Sequence, residues 1–206
     1  MFKEEAKWVE DALSLIQPLP QNNKVANLGS STAYFREIIQ PHIQHHLIKP
    51  LMENGWQILN VDLKEDKGVD EIADCTKTEF GIKYANMFGL TICTNMLEHV
   101  LDISLVVQNL FDVTVNNGYI LLTVPYKYKK HLDPIDNMFR PMPEEIANLF
   151  PDNSVKIIEK NIIIIQDKEY YKEKKSRFPL WGKRDLIAYQ LGIKHKVSGI
   201  LIKIEK

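Results

Sequence analysis

Short, largely apolar segments that alternate with helical patterns are the feature that most constrains the fold of this chain. They lie at residues 25–28, 56–62, 69–74, 90–94 and 119–124. Amphipathic or irregular stretches separate them, including a predicted helix over residues 103–115. Alternation of this kind is typical of an α/β protein with a parallel sheet that is buried on both faces. Ligands of such sheets bind at the carboxyl ends of the strands.

The first apolar segment leads into a turn of small residues, Gly29-Ser30-Ser31-Thr32-Ala33, and then into a helical pattern. Such a turn brings backbone N–H groups and the positive end of a helix dipole to one spot. We therefore expect it to suit an anionic or polar ligand. The turn has neither a phosphate-loop motif nor a full Gly-x-Gly-x-x-Gly motif, so by itself it is a weak signal.

Two further predicted strands each end on an aspartate, Asp62 and Asp74. In nucleotide-binding α/β folds, an acid at the end of the second strand accepts hydrogen bonds from ribose hydroxyls. The competing interpretation of Asp62 is a solvent-facing side chain that opens the next loop. Asp74 and Cys75 would lie at the same edge of the sheet, where an acceptor can bind an adenine amino group.

The polar loop at residues 131–141 follows the fifth strand, which we expect Pro125 to end. It interleaves a histidine, two aspartates and an arginine with prolines. A rigid loop at this edge of a sheet carries function more often than packing. A helix over residues 143–150, a strand pair or one long strand over residues 155–165 and a last strand over residues 196–204 complete the pattern.

Two segments flank the predicted sheet: an amphipathic helix over residues 3–17 and a basic, aromatic insertion over residues 168–196. The insertion holds nine Lys and Arg residues against three Asp and Glu. It could bind a nucleic acid or a phosphorylated substrate. Because the formal net charge of the chain is −1, we favour a solvated lid or a partner-contact segment and expect no nucleic acid partner.

Bulk properties favour a single domain over residues 1–206,. No apolar run approaches the ~20 residues that span a bilayer. The charged N-terminus does not resemble a signal peptide, and two cysteines cannot form a disulfide framework, so we expect a cytoplasmic protein without a membrane partner. His42, His45 and His46 suggest a metal site, but no acidic or cysteine ligand accompanies them, and we expect none.

Three stretches resemble class I S-adenosylmethionine-dependent methyltransferases, especially those of the type 11 methyltransferase-domain kind. The turn from Asn27 to Ala33 stands where that family has an acid-x-Gly-x-Gly-x-Gly loop. Asn95-Met96-Leu97-Glu98-His99-Val100 is similar to the family's Leu-Glu-His-Val segment, and Gly118-Tyr119-Ile120-Leu121-Leu122-Thr123-Val124-Pro125 is similar to the segment that ends in Val-Pro. The resemblance covers roughly residues 24–150.

The resemblance implies a Rossmann-like, seven-stranded, mostly parallel sheet with helices on both faces and an antiparallel last strand. It also implies S-adenosylmethionine as cofactor, with Asp62 at the ribose, Asp74 and Cys75 at the adenine, and Asn95 at the methionine end. The implied cofactor-binding residues are Asn27, Gly29, Ser30, Ser31, Asp62, Asp74, Cys75, Asn95 and Met96. Asn27 stands where the family has an acid, and Ser31 and Ala33 stand where it has glycines.

The implied reaction is methyl transfer to a small-molecule acceptor, and we predict O-methylation of a hydroxylated metabolite. Positioning carries much of such a reaction, and a base removes the hydroxyl proton. His131 is the first candidate for the base, because its loop would face the cofactor. Asp133 and Asp136 are orienting groups or alternatives, and His99 is a further candidate whose competing role is packing at a helix start. Arg140 would pair with an anionic substrate or with one of these aspartates.

Two other functions stay open. The chain could be a non-catalytic binding partner with the methyltransferase fold, since the acid and two glycines are replaced. It could also be an NAD(P)-dependent oxidoreductase, because Tyr126 and Lys130 form a Tyr-x-x-x-Lys pattern. That pattern belongs on a helix, whereas here it follows a strand, so we treat the match as chance. We also allow for a homodimer.

Overall fold

Seven strands form one sheet in the computed structural model, which describes residues 1–130 and 135–206. The strands are β1 Lys24–Leu28, β2 Gln57–Asp62, β3 Glu71–Ile72, β4 Phe88–Thr94, β5 Thr114–Lys127, β6 Val155–Ile164 and β7 Lys196–Ile204. Their order across the sheet is β3-β2-β1-β4-β5-β7-β6. All pairs are parallel except those of β7, which runs antiparallel to both β5 and β6. The predicted fold class, including the antiparallel last strand, is confirmed.

Helices pack on both faces of this sheet. They are α1 Lys3–Leu13, α2 Pro41–Ile43, α3 Lys49–Glu53, α4 Thr78–Lys83, α5 Ile103–Val113, α6 Pro143–Ala147, α7 Lys168–Arg177 and α8 Pro179–Gln190. Two π-helical segments, Phe35–Ile39 and Gln44–Ile48, and a 3-10 turn, Leu97–His99, join them.

Alternate residues of each central strand enter different hydrophobic cores. Leu122 of β5 packs in the core that contains Phe80 of α4 and Leu110 of α5. Its neighbour Leu121 packs in the other core, with Trp8 of α1. Because side chains alternate across a strand, burial of both neighbours requires cover on both faces. The same requirement explains why these strands read as continuous apolar runs.

The N-terminal helix is shorter than predicted, ending at Leu13 rather than at residue 17. The Ser14 hydroxyl donates to the carbonyl of Asp11 at 2.6 Å, and the following residues form a turn. Such a side-chain bond competes with the helical pattern. Ile16 is nevertheless buried, so the apolar stripe was predicted correctly and the helix end was not.

Strand β5 extends beyond both of its predicted ends. It continues through Pro125, where we expected a break, because β4 pairs with β5 only as far as Thr123. The missing N–H of the proline therefore falls where no neighbouring strand remains on that side. At its other end β5 begins at Thr114, so the helix over residues 103–115 ends early, at Val113.

Several other boundaries differ from prediction by a few residues. β3 spans only two of the six predicted residues, α6 ends at Ala147 rather than at residue 150, and β6 ends one residue early. β7 matches its prediction. The insertion over residues 168–196 contains α7 and α8 and connects the end of β6 to the start of β7. Within the described residues, no helix is long and apolar enough to cross a membrane.

Candidate functional site

The turn after β1 adopts a left-handed backbone at Gly29 (φ +66°) and at Ser31 (φ +56°). Its N–H groups donate to the end of β2 and to the loop that follows. The bonds are Ser30 N to Val61 O at 3.1 Å, Ser31 N to Asp62 Oδ2 at 2.7 Å and Ala33 N to Lys67 O at 2.8 Å. We expected these groups to be available to an anionic ligand. Instead, three of them bind the chain itself, and the anion at the turn is the Asp62 carboxylate.

A buried arginine holds the two loops together. The Arg36 guanidinium donates to the carbonyls of Ser30, Ser31 and Gly68 at 2.6–2.9 Å. Gly68 must be small, because a Cβ there would lie 2.6 Å from the Cβ of Ala33, and its φ of +84° disfavours other residues,. Arg36 thus stabilises, through hydrogen bonds, a turn in which serine and alanine stand where the methyltransferases have glycines. This role of Arg36 was not predicted from the sequence.

Asp62 lies at the carboxyl end of β2, as predicted, beside the turn after β1. Oδ2 accepts the N–H of Ser31, and Oδ1 accepts the N–H of Lys64 at 3.1 Å. Each carboxylate oxygen has two acceptor sites. Asp62 therefore keeps capacity to accept hydroxyl donors while its orientation is fixed by two backbone bonds.

Met96 connects two parts of the predicted cofactor site. A Cβ on Gly29 would lie 3.2 Å from Met96 Sδ, so the absence of a side chain at Gly29 leaves room for the methionine. On its other side, Met96 Sδ lies 3.6 Å from Cys75 Sγ. Burial raises the pKa of Cys75 to about 11, so the thiol is protonated near neutral pH. Gly29, Met96 and Cys75 form a continuous contact across the sheet edge.

Asp74 caps the turn after β3. Its Oδ1 accepts the N–H and the hydroxyl of Thr76 at 2.9 and 2.6 Å. Burial acts to raise the pKa of Asp74, but the two bonds from Thr76 outweigh it and the pKa is lowered. A cavity of about 230 Å³ lies beside it, lined in part by Ala73, Lys77 and Phe80. Asp74 is thus ionised and adjacent to open space at the predicted adenine edge.

Asn27 is directed along the sheet rather than toward the turn. It is buried, and its Nδ2 donates to Oδ1 of Asn60 on β2 at 3.0 Å. Asn60 in turn donates to Asp70 at 2.9 Å. The residue that replaces the family's acid therefore takes part in a chain of side-chain hydrogen bonds that ties β1 to β2 and to the β2–β3 loop.

A carboxylate from the N-terminal helix reaches the carboxyl ends of β4 and β5. Glu5 is fully buried, and its Oε1 accepts bonds from Asn95 Nδ2 at 2.5 Å and from Thr123 Oγ1 at 2.6 Å. Its Oε2 accepts the N–H of Phe2 at 2.9 Å. Sequence reasoning missed this role because Asn95 and Thr123 lie far from Glu5 in the chain. A buried position on the apolar stripe of the helix was the one available signal.

Glu98 is a second buried carboxyl group close to Glu5. It is fully buried, and within the described chain neither of its oxygens has a hydrogen-bond partner. Burial, helped by the charge of Glu5, raises its pKa to about 7, although His99 and Arg140 act in the opposite direction. Near neutral pH this carboxyl group is thus poised between its two protonation states.

The predicted catalytic loop lies only partly within the described residues. His131 and Asp133 are outside them. Asp136 pairs with Arg140: Arg140 Nη2 donates to Asp136 Oδ2 at 2.7 Å. The other carboxylate oxygen, Asp136 Oδ1, accepts the N–H of Met138. Arg140 thus pairs with one of the two predicted aspartates. His99 Nδ1 lies 2.7 Å from the carbonyl of Ile135, so His99 contacts the same loop.

The three neighbouring histidines face other parts of the chain. His42 Nε2 lies 2.9 Å from the carbonyl of Met1, and His46 Nδ1 lies 3.0 Å from Glu10 Oε2. The ring of His45 packs edge-on against that of His46. Among residues 1–130 and 135–206, no group of three or more His, Cys, Asp or Glu side chains is arranged to hold a metal ion.

Solved structures with this fold include several methyltransferases. Geranyl diphosphate C-methyltransferase from Streptomyces coelicolor A3(2), in complex with S-adenosyl-L-homocysteine, is 12% identical with a TM-score of 0.59, over 97% of this chain and 76% of that chain. Phosphoethanolamine N-methyltransferase 2 from Haemonchus contortus, in complex with S-adenosyl-L-methionine, is 15% identical with a TM-score of 0.56, over 98% and 57%. The [4+2]-cyclase SpnF is 11% identical with a TM-score of 0.60, over 98% and 81%.

Comparison with protein-family models and with curated proteins gives no match. At 11–15% identity the structural similarity establishes a shared fold, and proteins that share a fold differ in function. The sheet order and the similar structures agree on that fold. The chain has the Rossmann-like fold of the methyltransferases.

Proposed function

We propose that the protein binds S-adenosylmethionine and catalyses methyl transfer to a hydroxyl group of a small molecule. The observation that supports this most is the contact between the turn after β1 and the acid that ends β2, Ser31 N to Asp62 Oδ2. It lies at the carboxyl edge, where a doubly wound sheet binds its ligand. The methyltransferases of similar structure, which were solved with adenosyl ligands, support the same function.

The residues at this edge fit an adenosyl ligand. Asp62 would hold the ribose hydroxyls with its remaining acceptor capacity, and Asp74 and Cys75 would border the adenine. Gly29 and the adjacent Met96 would border the ligand, and Asn95 would face the methionine end. The cofactor supplies a methyl group on a positively charged sulfur. The chain supplies the carboxylates and the backbone geometry that position it.

A base must remove the proton of the acceptor's hydroxyl group, and we propose His131 for this role. Its loop follows β5 on the same edge, and the Asp136–Arg140 pair holds the part of this loop that follows. His131 takes the proton as the new C–O bond forms. His131→Ala should then abolish most turnover and leave the affinity for S-adenosylhomocysteine unchanged. Full turnover in this variant would exclude His131 as the base.

Calorimetry with S-adenosylmethionine and S-adenosylhomocysteine tests cofactor binding. We expect both to bind, and we expect Asp62→Asn to lower the affinity by about 1–3 kcal/mol because a charged acceptor is lost. The matched control is Asp66→Asn on the same loop, where the carboxylate accepts only its neighbour's N–H. NAD(P)H should not bind, and Tyr126 lies on β5 rather than on a helix, as expected if the Tyr-x-x-x-Lys match is chance.

Absence of binding of either adenosyl ligand at millimolar concentration would contradict the proposal. Equal affinities of the wild type and Asp62→Asn would remove Asp62 from the site. If the adenosyl ligands bind, incubation of extracts with the protein and S-adenosyl-[methyl-¹⁴C]methionine would identify the acceptor class from the labelled products.

A binding protein without methyl transfer is the second candidate. Two observations favour it: three N–H groups of the β1 turn bind the chain itself, and the same fold occurs in a [4+2]-cyclase. Adenosyl binding without any transfer to hydroxylated compounds would favour this candidate over the methyltransferase. The homodimer also stays a prediction, which sedimentation velocity would test.

A further inference from the structure

A second cavity opens at the carboxyl edge, beyond the end of β5. It has a volume of about 330 Å³ and lies between the end of β5 and the last turn of α8. Its described lining includes Lys127, Lys129, Asp185, Ile193, Lys194 and His195. We call it the basic cavity.

The charges around the basic cavity are predominantly positive. Its described lining contains three lysines and one aspartate, and the aspartate already forms ion pairs with lysines. Asp185 is buried and pairs with Lys129 and, at 3.0 Å, with Lys174. Lys127 and Lys194 have no ion pair with a described carboxylate. Their ammonium groups lie over the rings of Tyr126 and Tyr189, respectively. Two cations at the cavity therefore lack a counter-charge from the described chain.

His195 is a buried polar group on the wall of the same cavity. It is 9% exposed, and its Nε2 has no hydrogen-bond partner among the described residues. Burial, together with the charge of Lys174, lowers the pKa of His195 to about 4, although Asp185 acts in the opposite direction. The ring is thus neutral near pH 7, and its Nε2, 3.7 Å from Asp185 Oδ2, makes no hydrogen bond within the described chain,.

An aromatic cluster fixes this wall. The hydroxyls of Tyr128 and Tyr170 lie 2.8 Å apart, and Lys174 Nζ donates to each at 3.2 Å. The ring of Tyr171 stacks on His195 with 5.3 Å between centroids. Tyr128, Ala188 and Ile193 line the cavity and make most of its surface apolar. A ligand of complementary chemistry has an apolar body and an anionic end.

Arg140 links the basic cavity to the predicted catalytic loop. β5, whose end borders the cavity, is two strands from β1 in the sheet. Arg140, which pairs with Asp136 of the predicted catalytic loop, also donates to the carbonyls of Tyr128 and Lys129 at 3.3 Å. The loop and the cavity wall are thus joined by one side chain.

We propose that the basic cavity binds a phosphate or carboxylate group of an acceptor that has an apolar body, with Lys127 and Lys194 as the anion-binding residues. Its role in positioning an acceptor rests on the proposed methyl transfer. Binding of the anion does not, because the cavity is formed without any part of the cofactor edge.

Calorimetry without adenosyl ligand tests this inference with three probes: phenyl phosphate, benzoate and the neutral benzyl alcohol. We expect at least one of the two anions to bind more tightly than the alcohol, and the preferred anion identifies the group. Lys194→Gln and Lys127→Gln should each weaken anion binding about tenfold, since a charged hydrogen bond is lost. The control is Lys175→Gln, an exposed lysine of α7 outside the cavity lining, which should bind as the wild type does.

Equal binding of all three probes would overturn the inference, as would anion binding that Lys194→Gln and Lys127→Gln leave unchanged. Titration of the same variants with S-adenosylhomocysteine separates the two proposals. Retained adenosyl affinity with weakened anion binding supports the basic cavity. A wild-type protein that binds the adenosyl ligand but neither anion would contradict this inference alone.

Discussion

Arg36 shows how one side chain can stabilise a loop in which serine and alanine stand where the methyltransferases it resembles have glycines. The residue is 5% exposed, and its guanidinium donates to carbonyls from two loops. We expect Arg36→Met to lower the free energy of unfolding by about 3 kcal/mol, because three carbonyls lose a charged donor. Urea denaturation measures the change.

The matched control for this variant is Arg184→Met, at an exposed position of α8. We also expect Arg36→Met to weaken S-adenosylhomocysteine binding, since the β1 turn is no longer held against the β2–β3 loop. Equal stability of the two variants would show that the three hydrogen bonds contribute little.

Glu98 gives the protein a predictable pH dependence. Its pKa is about 7 in the folded chain and about 4.3 in an unfolded one. Between these values the folded state keeps a proton that the unfolded state has lost, so this contribution to stability is complete below about pH 4 and is lost as the pH rises through 7. We expect Glu98→Gln to be more stable than the wild type by about 3–4 kcal/mol at pH 8 but by only about 1 kcal/mol at pH 5, because the wild type loses about 1.4 kcal/mol per pH unit between the two pKa values.

Urea denaturation at both pH values measures this difference, and Glu65→Gln, on an exposed loop, is the control. A constant difference between Glu98→Gln and the wild type across this range would mean that Glu98 does not titrate within it.

The site residues differ in how well the sequence could predict them. Asp62 and Asp74 could be predicted as site residues because each ends an apolar segment. The carboxyl ends of parallel strands lie at one edge of the sheet, so the two acids were expected there. Arg36 and Glu5 were not, because their partners lie on segments that come together only in the fold. In the sequence, nothing distinguishes either residue from the other charged residues of its helical segment.

At the scale of elements, α1 is attached to the site by Glu5. This helix contributes a buried carboxylate that accepts from Asn95 and from Thr123. We expect Glu5→Ala to lower the free energy of unfolding by about 3 kcal/mol, since the buried Thr123 and the partly buried Asn95 lose their acceptor,. We also expect faster amide hydrogen exchange over residues 3–13.

The control for this prediction is Asp11→Ala on the exposed face of the same helix. Unchanged exchange in Glu5→Ala would show that the hydrophobic contacts of the helix, such as those of Trp8, suffice to hold it.

The existence and type of the main elements followed from periodicity, whereas their ends did not. Ser14 ends α1 through its own hydroxyl, and Pro125 stays within β5 because the neighbouring strand has already ended. Both outcomes depend on what surrounds the residue, which a local pattern does not contain. The two helices of the insertion were missed as helices, because their charged and aromatic residues show little periodicity.

At the scale of the molecule, the order of alternating elements predicted the sheet, and the family resemblance predicted its antiparallel strand. The arrangement brings Gly29, Asp62 and Asn95 to one edge from three different strand ends. Whether this edge binds an adenosyl ligand is a question of chemistry that the fold alone does not answer.

Amide chemical shifts of ¹⁵N-labelled protein, titrated with S-adenosylhomocysteine, test the central claim most directly. We expect saturable shifts at Gly29, Ser31, Asp62 and Asn95, with little change at Lys194 beside the basic cavity. No saturable shift at millimolar ligand, or shifts confined to the basic cavity, would contradict the proposed site.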